Sequence, residues 1–190
     1  MKKICFAIMS LILIISVCSY SQELTDSPVA QKFTSLKEGS FFDTDDTVLR
    51  AFESDLLDND FNGLLLSAPK SVDTAKKDSL PLLVAIGYSG DRAWDYPIQK
   101  HCYLIAVNKS EGSVYIEPLF QDKKAKSITN EGKKGEKPTG LALCASVVMR
   151  VNIRDIMELP WEKGEWCFTI LYHDWLSNKV NVFLTGRNSK

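Results

Sequence analysis

The segment from Trp166 to Tyr172 constrains the fold of this chain more than any other. Large apolar side chains recur there at every second position, as Trp166, Phe168, Ile170 and Tyr172. That spacing places them on one face of an extended strand. Val180, Val182 and Leu184 repeat it, and Ser177-Asn178 between the two segments has the composition of a turn. We therefore expect two antiparallel strands whose aromatic face is covered by another sheet.

Six segments carry the apolar pattern of strands, and Leu64–Leu66 is a candidate for a seventh. The six are Leu82–Ile86, Cys102–Val107, Val114–Leu119, Leu141–Ile153, Trp166–Tyr172 and Lys179–Leu184. No helical pattern separates them, so parallel β-α-β units are not expected. The sequence predicts an all-β core, an antiparallel β-sandwich of six or seven strands.

The residues that precede Trp166 resemble a corner of immunoglobulin-like domains. Leu159-Pro160 is followed by Gly164 and then by Trp166, as at the corner before the penultimate strand of that fold. There a Tyr usually bonds back to the backbone; here the Trp166 indole N–H can donate to a carbonyl but cannot accept. The resemblance implies an immunoglobulin-like β-sandwich.

The first residues have the pattern of a signal peptide. Lys2 and Lys3 precede an apolar run from Ile4 to Val17, and Ser19-Tyr20-Ser21 predicts cleavage before Gln22. We expect residues 1–21 to be removed and the protein to be periplasmic, extracellular or attached to the envelope, with no transmembrane span left. A retained anchor is disfavoured because the run is shorter than the roughly 20 residues of a span.

Lipid attachment at Cys18 is the minor alternative, because Val17 is larger than the residue that usually precedes a lipidated cysteine.

Residues 22–79 are predicted to form an N-terminal segment before the β-sandwich domain at 80–190. Acidic residues from Asp43 to Asp46 can cap a short amphipathic helix. Its apolar residues are Val48, Leu49, Phe52, Leu56 and Leu57. Ser67 to Ser79 has the composition of a linker.

Charge and motif content exclude several functions. A net charge of -1 gives no general field for nucleic acid. No metal site or cofactor is expected. No Cys or His spacing suits zinc, and the Asp-rich stretches Asp43–Asp46 and Asp58–Asp60 do not have the spacing of a calcium loop. The lysine-rich stretch 121–140 is interpreted as a solvated loop, with an anionic docking surface as the alternative.

No catalytic residue is assigned. Cys167 and His173 lie six residues apart in one predicted strand, about 20 Å, so they cannot touch. Neighbouring His101 and Cys102 point to opposite faces. Three cysteines remain after the signal, Cys102, Cys144 and Cys167, so at most one internal disulfide forms.

One loop has the composition of a binding site: Asp91, Arg92, Trp94, Asp95 and Tyr96. Trp and Tyr are favoured anchors in interfaces, and loops at the end of a sandwich commonly bind partners. The alternative is that both aromatics cap the end of the sandwich. The leading hypothesis is a non-enzymatic exported module that binds a protein or glycan or serves envelope assembly. A small secreted hydrolase or enzyme inhibitor is the alternative.

Overall fold

The computed structural model describes residues 27–42, 47–59, 61–89, 98–120 and 144–186, where the chain forms nine strands and five short helices. The predicted signal peptide with Cys18, Asp43–Asp46 and the lysine-rich stretch lie outside these ranges. Two of the helices, α4 (Ile98–His101) and α5 (Ile153–Ile156), are short and lie among the strands. Strands form most of the regular structure, so the protein is mostly β, as predicted.

The strands form two sheets. Sheet A has the order β1 (Gly63–Ser67), β3 (Pro81–Ser89) and β6 (Cys144–Asn152), all antiparallel. Sheet B has the order β2 (Ser71–Asp73), β9 (Val180–Thr185), β7 (Gly164–Tyr172), β4 (Cys102–Asn108) and β5 (Val114–Pro118), and β8 (Trp175–Leu176) pairs with β7. Each predicted strand segment overlaps one of these strands, and Leu64–Leu66 is the centre of β1. Leu119, Ile153 and Lys179 lie just beyond the strand ends, and residues 141–143 lie outside the described ranges.

The expectation of purely antiparallel sheets is wrong for sheet B. Strand β2 pairs with β9 in parallel, with Val72 opposite Leu184. The chain reaches this edge directly from sheet A, more than a hundred residues before β9, so no tight turn imposes antiparallel pairing. Strands β2 and β8 were not predicted because three and two residues are too short to show a period.

The aromatic face of β7 is the inner wall of the two-sheet core, as predicted. Trp166, Phe168 and Ile170 are fully buried, and the sheet A residues in the same cluster are Leu64, Leu66, Leu82, Val84 and Ile86. The Trp166 indole N–H donates to the carbonyl of Glu162 at 3.4 Å. The indole thus bonds to the backbone four residues upstream, and the immunoglobulin-like arrangement stays a prediction.

Three helices cover the other face of sheet A: α1 (Pro28–Thr34), α2 (Gly39–Phe42) and α3 (Thr47–Asp58). Their buried side chains pack against Leu65, Leu83 and Ala85, and are Val29, Ala30, Phe33, Phe41, Phe52 and Leu56. Only α3 was predicted, because α1 and α2 are too short to show a helical period. The domain boundary between residues 79 and 80 stays a prediction.

Ser177-Asn178 is not a simple hairpin turn, because both residues bind other strands. The Asn178 carboxamide accepts from the Leu66 N–H at 2.7 Å and donates to the Leu66 carbonyl at 2.7 Å. The Ser177 hydroxyl accepts from the Ile170 N–H at 2.9 Å. Asn178 thereby takes the place of a neighbouring strand at the edge of β1 and ties the two sheets together.

Replacing Asn178 by Ala should therefore lower the free energy of unfolding by about 2–3 kcal/mol, because two backbone groups of Leu66 lose their partner. Asn181→Ala is the matched control, since Asn181 is exposed on β9 and its loss should cost less than about 0.5 kcal/mol. Urea denaturation of the two variants measures the difference. Equal stabilities would contradict the role of Asn178.

Candidate functional site

The predicted binding residues Asp91, Arg92, Trp94, Asp95 and Tyr96 lie outside the described ranges. The strands on either side of them, β3 and β4, belong to different sheets. Their role in binding stays a prediction.

The two histidines meet at one end of sheet B. The His173 N–H donates to the carbonyl of His101 at 3.2 Å, which continues the β4–β7 ladder beyond the strand ends. His173 has a positive φ of 54° in the turn after β7, and its Nδ1 lies 3.0 Å from the Asp174 carboxylate. A left-handed conformation in a residue other than Gly is uncommon and is often found at turns or functional sites.

The free thiols do not add a nucleophile to this pair. Burial raises the pKa of the Cys102 thiol to about 12. Burial also raises the pKa of the Cys167 thiol, against the opposing positive charges of Lys109 and Lys179. Both thiols are therefore protonated at neutral pH, whereas the thiolate is the reactive form.

A cleft of about 280 Å³ separates α2 from β2 and the turn that follows it. Its two lysines have partners: Lys77 Nζ lies 3.3 Å from the centroid of the Phe42 ring, and Lys76 Nζ lies 3.4 Å from Asp73 Oδ2. Glu38 adds a second carboxylate to the lining, so two lysines face two acids. The lining of the cleft therefore carries no net charge that would select a charged ligand.

The outer face of sheet B presents exposed apolar side chains in the described part of the chain. We define it by six side chains on one side of β4, β5 and β7: Tyr103, Ile105, Val107, Val114, Ile116 and Leu171. The register sets Ile105 opposite Ile116 and Val107 opposite Val114, so the aliphatic side chains form a continuous stripe. Val114 and Ile116 are 56% and 57% exposed.

The outer faces of the two sheets differ in what covers them. Helices α1, α2 and α3 bury that of sheet A, whereas no described element packs on that of sheet B. The nearest described ion pair on this face is at its end, where Lys109 Nζ lies 2.7 Å from Glu165 Oε1. An uncharged apolar centre with charges at its border is the composition found in protein interfaces.

This surface was not predicted from the sequence, although the composition of β4 contains a signal for it. Cys102–Val107 is apolar at all six positions, and strands that are apolar on both faces are usually covered on both. Among the described residues, only the inner face, formed by Cys102, Leu104 and Ala106, is covered. Identifying the free face requires the strand order, which the sequence does not contain.

Within the described ranges, no three His, Cys, Asp or Glu side chains come close enough to hold a metal ion. No helix among these residues combines the length and hydropathy that crossing a membrane requires. Comparison of the chain with models of protein families, with curated proteins and with solved structures found no match.

The Cys102 thiol should make stability depend on pH. In the unfolded chain it ionises above its ordinary pKa of 9.0, whereas in the folded chain it stays protonated up to about pH 12. Its contribution to the free energy of unfolding is therefore complete below pH 9.0 and falls as the pH rises toward 12. We expect a loss of about 2–3 kcal/mol between about pH 8 and pH 11.

Cys102→Ala is the control for this measurement. It removes the thiol but leaves every tyrosine and lysine that also titrates in this range. Urea denaturation of both proteins across the pH range gives two curves that should converge as the pH rises. Curves that stay parallel would show that Cys102 is not held protonated by burial.

Proposed function

We propose that this chain is an exported, non-enzymatic binding module with an immunoglobulin-like β-sandwich, whose partner is a protein that docks on the outer face of sheet B. The observation that carries the proposal is the uncovered apolar stripe on β4 and β5. Its β-branched side chains lack the polar groups that sugar hydroxyls require. A protein partner is therefore favoured over the glycan that the sequence analysis also allowed.

Support for the immunoglobulin-like description comes from the corner at Trp166. The indole bonds to a carbonyl four residues upstream, as the corner Tyr does in that fold. Support for export comes from the sequence of residues 1–21 alone. The loop of Asp91, Arg92, Trp94, Asp95 and Tyr96 remains a second proposed contact for the same partner.

A charge on the outer face tests the proposal. Tyr103 is 36% exposed, and Tyr103→Glu should reduce capture of the partner from an envelope extract by about tenfold or more, since it buries an unpaired carboxylate. Leu57→Glu is the matched control, because Leu57 is 48% exposed on α3, on the other side of sheet A. Quantitative mass spectrometry of the captured proteins measures both.

The results separate the two proposed contacts. If Tyr103→Glu and Leu57→Glu capture the same proteins at the same level, the outer face is not the docking surface. A loss seen only with Trp94→Ala and Tyr96→Ala would assign binding to the loop instead. Capture of a purified glycan that Tyr103→Glu abolishes would contradict a protein partner, because it would place a glycan on this face.

A small secreted hydrolase or an enzyme inhibitor is the second candidate function. The observation that favours a hydrolase is the approach of His101 and His173, joined by a backbone hydrogen bond of 3.2 Å. Asp174 beside the His173 ring has the position of an orienting carboxylate. A general base held in this way would act on an oxygen nucleophile, because both described thiols are protonated.

This second candidate predicts that the exported protein hydrolyses members of a panel of chromogenic esters and peptides. His173→Gln should then abolish turnover while the thermal unfolding midpoint changes little, because His173 is exposed. Turnover that is absent from the native protein, or unchanged in the variant, would remove this candidate.

A further inference from the structure

Four strands lie at the ends of the two sheets, and three of them are protected in the described part of the chain. The Asn178 carboxamide occupies the edge of β1. Strand β2 has only three residues. Strand β6 carries a charged side chain, Arg150, whose guanidinium donates to the Ser40 carbonyl at 3.4 Å. Short length, charge and covering are the means by which proteins keep strand edges from pairing.

Strand β5 is the fourth, and the direction of its backbone groups follows from two hydrogen bonds. The Asn108 N–H donates to the Ser113 carbonyl at 2.9 Å, and the Leu119 N–H donates to the Cys102 carbonyl at 2.9 Å. In an antiparallel pair, residues that bond to the partner alternate with residues that point away. Every second residue from Ser113 to Leu119 therefore bonds to β4.

The residues between them, Val114, Ile116 and Pro118, turn their backbone groups toward the free edge. Val114 and Ile116 each present one N–H and one carbonyl there, and Pro118 presents a carbonyl only. The same two residues carry the most exposed large apolar side chains of the described chain, at 56% and 57%. The edge thus offers two donors beside two unburied aliphatic side chains, which is the arrangement that strand addition uses.

The sequence of β5 is complementary to itself in one antiparallel register, centred on Tyr115. There Val114 of one copy lies opposite Ile116 of the other, and each such pair exchanges two backbone hydrogen bonds. The two Tyr115 side chains face each other across the axis, and Glu117 lies opposite Ser113. Aliphatic and aromatic cross-strand pairs stabilise a sheet, and no like charges are directly opposite.

We propose that two copies of this chain associate by antiparallel pairing of their β5 strands in this register. The proposal goes beyond the binding function, because it concerns the protein without its partner. Four backbone hydrogen bonds join the copies, and the absence of an N–H at Pro118 ends the pairing there. Since the interface is isologous, it uses both free edges and closes as a dimer.

The size of this interface predicts a weak dimer. A single strand pair of about five residues buries less than the roughly 1,200 Å² of a typical stable complex. We therefore expect dissociation in the micromolar range and a monomer–dimer equilibrium that depends on concentration.

Val114→Pro tests the proposal, because it removes the N–H that points to the free edge and none of the bonds to β4. Sedimentation velocity of the purified exported protein over a range of concentrations should show dimerisation weakened by about tenfold or more, as two of the four bonds are lost. Val114→Thr is the matched control: it keeps the N–H and the shape, and its dissociation constant should change by less than about threefold.

Circular dichroism shows whether the proline disturbs the fold. If it does, Ile116→Lys replaces it as the test variant, and Ile116→Thr is the matched control. A native protein that is monomeric at every concentration would overturn the proposal. So would a dimer that persists in folded Val114→Pro and Ile116→Lys, since it would use another surface. Tyr103→Glu should still dimerise, so failure of the dimer and failure of partner docking give different results.

Discussion

The contact between the inner faces of the two sheets is the interaction on which the rest of the structure depends. Trp166, Phe168 and Ile170 on sheet B lose all contact with water against the leucine-rich inner face of sheet A. Each such side chain contributes about 1.5–3 kcal/mol on burial, so this contact alone is comparable to the net stability of a small domain. Apolar contacts are not directional, whereas the two hydrogen bonds of Asn178 to Leu66 fix the position of the end of β1 relative to sheet B.

The parts of the fold that the sequence predicted are those in which one segment carries its own periodic signal. Strand β7 has four large side chains at a strict period of two from Trp166 to Tyr172, and α3 has a helical period over three turns. Strand β2 has one apolar residue, Val72, and is recruited by pairing with β9. Its parallel direction is set by where the chain crosses between the sheets, which is a property of the assembled fold. For a similar reason the sequence indicates only a turn at Ser177-Asn178, since the bonds of Asn178 to Leu66, 112 residues away, have no local signature.

Prediction of the site was limited by the same distinction between local and assembled features. The loop of Trp94 and Tyr96 is predicted to bind a partner because of its composition, which is a local property of the sequence. The outer face of sheet B draws its side chains from three strands, and neither Ile105 nor Ile116 is unusual in its own segment. The histidine pair shows the same limit: His101 and His173 are 72 residues apart in sequence, and the β4–β7 register joins their backbones.

The uncovered face and the unprotected edge meet in the same two residues. Val114 and Ile116 direct their side chains to the outer face of sheet B and their free backbone groups to its edge, because both belong to non-bonded positions of the β4–β5 ladder. A two-fold axis through paired β5 strands is perpendicular to the sheet, so the outer faces of both copies lie on the same side. Pairing would therefore leave the apolar face of each copy exposed. The two faces would form one continuous surface, with Val114 and Ile116 of both copies at its centre. A partner that docks there would meet two copies of one surface, and binding to both at once would strengthen a contact that is weak for one copy alone.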